Sequence, residues 1–85
     1  MSRFTVVWLQ RAIDQLAEIW LGVEDRTSVT DAAAAIDSKL SNEPELLGIE
    51  LAEGLRKLRV PPLEVVFAVR EPDRTVEVAR VYLRD

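Results

Sequence analysis

Pro61-Pro62 stands between two runs of alternating character, and this restricts the fold more than anything else in the chain. Proline donates no backbone N–H and fixes its own φ, so a proline pair cannot lie inside a central strand; it turns the chain. Leu55–Val60 before the prolines and Leu63–Arg70 after them both show the period of two that marks a strand. Folding back at the prolines sets Val60 opposite Leu63, Leu58 opposite Val65 and Arg59 opposite Glu64. One face of the hairpin then carries Leu58, Val60, Leu63, Val65, Phe67 and Val69. The other carries Lys57, Arg59, Glu64, Val66, Ala68 and Arg70. The apolar face demands a cover.

Glu71-Pro72-Asp73-Arg74 makes a second turn and Thr75–Leu83 a third strand. The cover comes from the first half of the chain. Residues 4–9 read as a strand, apolar on both faces. From 10 to 23 the period changes to that of a helix. Leu9, Ile13, Leu16 and Trp20 form one stripe, with Ala12, Ile19 and Val23 beside it; Arg11, Asp14, Gln15 and Glu18 take the polar side. Ser28-Val29-Thr30-Asp31 reads as a capping box opening a second helix. Val29, Ala32, Ala33, Ile36 and Leu40 follow at helical spacing, residues 32–35 are all alanine, and Asn42-Glu43-Pro44 ends the helix. Residues 45–53, where Gly48 interrupts Leu46, Leu47, Ile49 and Leu51, have no readable period.

The order strand, helix, helix, strand, strand, strand implies a single α+β domain over residues 1–85. Its helical hairpin is packed on one face of a mostly antiparallel sheet. The expected core is Trp8, Leu16, Ile19, Trp20, Ile36, Leu40, Val65, Phe67 and Val78. Unbroken alternation would leave Val66, Ala68, Ala79, Val81 and Leu83 on the opposite face, an apolar strip for a partner or a second copy of the chain.

Composition removes whole classes of chemistry. The chain has no cysteine and no histidine. That excludes disulfides, thiolate or imidazole metal sites and histidine-dependent triads. No cofactor or metal is expected. The formal net charge is −4, so any polyanion binding must come from a local patch. No apolar run approaches the ~18 residues of a membrane span, and no signal-peptide core is visible. These features fit the cytoplasm.

The resemblance to a known family spans nearly the whole chain. It begins at Val6-Val7-Trp8, runs through Ala12, Leu16 and Ile19-Trp20, and passes a proline and a glycine at Pro44 and Gly48. It continues through Gly54-Leu55-Arg56-Lys57-Leu58 into Val65-Val66-Phe67 and ends on Val76-Glu77-Val78-Ala79-Arg80-Val81-Tyr82. In this order and spacing the chain resembles the RelE/ParE superfamily of toxins from bacterial toxin–antitoxin modules, the plasmid stabilisation proteins. The resemblance implies a cognate antitoxin as partner. It also implies one of two targets: the ribosome and its mRNA, cleaved without metal, or DNA gyrase, bound without chemistry. A non-toxic interaction module of the same fold is a further possibility, and homo-oligomerisation stays open.

The same resemblance supplies the candidate site. Lys57 and Arg59 match basic positions of the nuclease branch, where cations stabilise the crowded phosphate. Arg80, Tyr82 and Arg84 lie where relatives place catalytic or base-stacking residues; a phenol can stack on a base and donate a proton. Glu64 departs from the pattern, since many relatives carry arginine there. Its carboxylate would neutralise Arg59 across the strands or serve as a general base. The plainer alternative is a solvated strand face at Arg56, Lys57 and Arg59, with Tyr82 as a packing residue.

Overall fold

The computed structural model describes residues 3–84. Its elements are β1 (Thr5–Trp8), α1 (Gln10–Gly22), α2 (Arg26–Leu40), a 3-10 turn (Pro44–Leu46), β2 (Ile49–Ala52), β3 (Leu55–Val60), β4 (Leu63–Arg70) and β5 (Thr75–Leu83). The five strands form one sheet in the order β1-β5-β4-β3-β2, with β1 parallel to β5 and every other pair antiparallel. The α+β architecture expected from the sequence is the one observed, with one more strand than expected.

That strand is β2, in the stretch without readable period. It pairs only with β3, all four of its residues are exposed, and its register slips between Glu50 and Ala52. A bulged edge strand with no buried face leaves no alternation to read. Gly48 makes its approach possible. With φ at 68°, it passes so close to β3 that a Cβ there would lie 1.8 Å from the Lys57 carbonyl oxygen.

The β3–β4 hairpin has the expected register, Val60 to Leu63, Arg59 to Glu64 and Leu58 to Val65. α2 covers its apolar face, and α1 packs beside it on β5. Leu63, Val65 and Phe67 from β4 and Val76 and Val78 from β5 are fully buried against Ala12, Val29, Ile36 and Leu40. Each large side chain so buried contributes about 1.5–3 kcal/mol.

The start of α2 differs from expectation. Asp25, not Ser28, caps α2: its carboxylate accepts from the Ser28 backbone N–H at 3.1 Å and from the Ser28 hydroxyl at 2.6 Å. The two tryptophans are also less buried than their periods suggest, because each indole N–H needs an acceptor. Trp8 is half-buried and donates to Asp37 Oδ1 at 3.0 Å, tying β1 to α2. Trp20 is 39% exposed. It donates to Thr30 Oγ1 at 3.2 Å and carries the Arg26 guanidinium 4.5 Å above its ring, closing the helical hairpin from outside. Leu16 and Ile19 are half-buried at the margin of the core.

The largest departure lies in β5. Val66 pairs with Arg80 but Phe67 pairs with Val78, so Ala79 is an extra residue, a β-bulge. The bulge inverts the alternation. Before it, Val76 and Val78 face the helices; after it, Val81 does, opposite Val65 and buried. Leu83 falls on the same side, beside Val23 and Val29. The apolar strip expected on the far face is therefore reduced to Val66 and Ala68, both half-buried. Gln15, expected on the polar side of α1, turns inward instead and accepts the Val81 backbone N–H at 2.8 Å.

Candidate functional site

The bulge assembles the far face of the sheet. Past Ala79, Arg80 falls opposite Val66 and Tyr82 opposite Glu64, on the side away from the helices. The register of β3 places Lys57 and Arg59 on that same side. Strict alternation would have turned Arg80 and Tyr82 into the core; the inserted residue brings them out to join the cations of β3. Among the described residues no element covers this face.

Glu64 sits at its centre. Its side chain is 15% exposed, and its two oxygens answer two different cations. Lys57 Nζ lies 3.9 Å from Oε2, and Arg84 Nε lies 3.4 Å from Oε1. The Arg84 guanidinium also lies 4.9 Å above the Tyr82 ring. Its position is set by the backbone, since the Arg84 N–H donates to the Pro62 carbonyl at 2.6 Å and anchors the chain end beside the β3–β4 turn. Arg59 stands directly across from Glu64. Farther along the face Arg70 pairs with Glu77 at 2.9 Å.

The structure therefore brings Lys57, Glu64, Tyr82 and Arg84 into contact, with Arg59 and Arg80 on the same surface. The cluster Arg56, Lys57 and Arg59 does not stay together. Arg56 points to the helix side, opposite Phe67, and donates to the carbonyls of Leu47 and Gly48 at 2.8 and 3.3 Å, holding the turn before β2. Gln15 was not legible as part of the site. A polar residue between Ala12 and Ile19 on the inward arc of α1 is the only sequence signal of its role.

A second surface lies on the other side of the molecule. An apolar groove of about 470 Å³ runs between α1 and α2, walled by Ile13, Leu16, Trp20 and Leu21 and floored by Val29 and Ala33. The small residues of the alanine run leave the trough open.

Chemically, the sheet face offers several cations for phosphate oxygens, an aromatic ring for a base and a phenolic proton donor. No family model and no curated protein sequence matches the chain. Solved structures do. The RelBE2 toxin–antitoxin complex of Mycobacterium tuberculosis matches with a TM-score of 0.80 at 22% identity, over 99% of this chain and 94% of that one. The chromosomal ParDE toxin–antitoxin system of P. aeruginosa matches at 0.68 and 15%, over 98% of each chain. A variant of the E. coli toxin RelE in the free state matches at 0.65 and 16%, over 95% of this chain and 82% of that one. By its strand order, helical hairpin and length, this chain has the fold of the RelE/ParE superfamily of toxins.

Proposed function

We propose that this chain is the toxin of a type II toxin–antitoxin pair and that it blocks translation by ribosome-dependent cleavage of mRNA, with the open sheet face as its RNA-binding surface. One observation carries the reading. In a chain of net charge −4, the described residues gather Lys57, Arg59, Arg70, Arg80 and Arg84 on one uncovered face that also carries Glu64 and Glu77. Such local reversal of charge suits a phosphate backbone. In the reaction the cations carry the charge on the non-bridging oxygens, and the Tyr82 hydroxyl protonates the leaving oxygen.

Several of the structures sharing this fold are toxin–antitoxin complexes. We assign the antitoxin to the groove between α1 and α2, where an amphipathic helix would cover Ile13, Trp20 and Leu21, all more than a third exposed. Replacing Leu21 with arginine should release the toxin from its antitoxin without unfolding it.

Gyrase binding without chemistry is the second reading, favoured by Glu64, which ties up two of the cations. Induction in a bacterial host followed by pulse labelling separates the two. Protein synthesis should stop first. A DNA-damage response ahead of that arrest would favour gyrase, and undisturbed growth would leave an interaction module without toxicity.

A further inference from the structure

We propose that the Glu64 carboxylate holds the seat of a ligand phosphate, and that single-stranded RNA binds this face by displacing it. The inference rests on the RNA-binding reading above and adds how the site is regulated. Lys57 arrives from β3 and Arg84 from just past the end of β5, and each meets a different oxygen of the same carboxylate. A phosphodiester offers two non-bridging oxygens to a pair of cations in the same manner. Glu64 is the least exposed member, at 15%, while Lys57 and Arg84 are 39% and 52% exposed. The cations thus stay open to an incoming anion while the carboxylate sits beneath them.

The contacts are loose as well. At 3.9 and 3.4 Å they exceed the ~2.7–2.9 Å of a tight charge-assisted hydrogen bond, so a better ligand can replace them. Tyr82 completes a nucleotide-sized site. It stands across the ladder from Glu64, and its ring is covered by the same Arg84 that Glu64 holds. A phosphate that draws Arg84 away exposes the ring, and the adjoining base stacks there. In the free chain both halves of the site are filled from within, the phosphate half by Glu64 and the base half by Arg84.

The test measures binding of a short labelled oligouridylate to the full chain and to Glu64→Gln and Glu64→Ala, each first shown to melt like the parent. Both variants should bind about three- to tenfold more tightly, as expected when two loose, partly exposed ion pairs no longer compete. Their affinity should also fall more steeply with salt. Tyr82→Ala should weaken binding in every background. If the parent binds and Arg80→Glu abolishes that binding, but neither Glu64 variant binds more tightly, the RNA face stands and the displaced carboxylate is wrong. Unchanged affinity with growth inhibition lost on induction of the Glu64 variants in a bacterial host makes Glu64 a general base, which also overturns it. If no protein binds the probe even at low salt, the RNA reading falls and the inference with it.

Discussion

Gln15 on α1 accepts the backbone N–H of Val81 on β5 at 2.8 Å, so a helix on one side of the sheet braces the bulge that aims Arg80 and Tyr82 out of the other. A bulge interrupts the ladder locally, and the amide oxygen of Gln15 meets a backbone donor there. Gln15→Leu should cost about 1–2 kcal/mol in denaturant unfolding, the usual loss when a partly buried donor is left alone. Hydrogen exchange at the Val81 amide should speed up more than at Val76 or Val78.

Deleting Ala79 gives a sharper test of the same geometry. Removing the extra residue restores plain alternation, so Val78 and Val81 should still face the helices and Arg80 and Tyr82 should still face outward. The variant should fold. Deleting Val78 instead leaves the helix-facing row one valine short, and that protein should not fold. Circular dichroism melts of the two decide the matter.

Two glycines with positive φ should respond differently to alanine. Gly48→Ala drives a Cβ into the Lys57 carbonyl and should cost more than about 3 kcal/mol, or detach β2 from the sheet. Gly54, at φ 76°, has open space around its missing Cβ, so Gly54→Ala should cost only the conformational term, about 1 kcal/mol. Chemical denaturation of the pair separates steric clash from backbone preference.

The cap of α2 predicts a pH dependence. Two hydrogen bonds from Ser28, the hydroxyl first and then the backbone N–H, hold the Asp25 carboxyl below its ordinary value. A group whose folded pKa is depressed stabilises the fold above its unfolded value, near 3.8, and that contribution is lost as pH falls through the folded one. Asp25→Asn keeps an acceptor but not the titration, so the gap in melting temperature between parent and variant should be constant at neutral pH and narrow below about pH 4.

On the open face, Arg80→Glu and Arg84→Glu should abolish growth inhibition while leaving the melting temperature within a few degrees of the parent. Tyr82→Phe separates two roles for the ring: RNA affinity should survive the change, and cleavage should drop if the phenol donates the proton. Growth curves and oligonucleotide binding read the two effects independently.

The β3–β4 hairpin was legible in the sequence because two prolines fixed the turn and one face had to be buried; period two then left a single register. Asp25 was harder to assign, since Ser28 and Asp31 imitate a cap three residues too late. The candidate residues came from the resemblance, and the meeting of Lys57, Arg59, Glu64, Arg80, Tyr82 and Arg84 on one face was not legible. Simple alternation sends Arg80 and Tyr82 toward the helices, and no local pattern around Ala79 announces an extra residue. Tertiary context decides it: Val65 and Leu63 select Val81 and Leu83 as partners, and Gln15 secures the junction. Trp20 misled for a related reason, because a helical apolar stripe records amphipathicity without saying how deep each member sits.

The pairing of β1 with β5 joins strands far apart in the sequence, and α1, which follows β1, packs chiefly on β5 as well. During synthesis the amino-terminal strand and helix therefore wait, with their principal partner still unmade, until the carboxy-terminal strand has left the ribosome. Contacts so distant along the chain close slowly. The nascent chain cannot assemble its cation-bearing face before β5 either, because Arg80 and Tyr82 lie on that strand and Arg84 just past it. The fold and its cation-bearing face thus come into being together, once β5 is made.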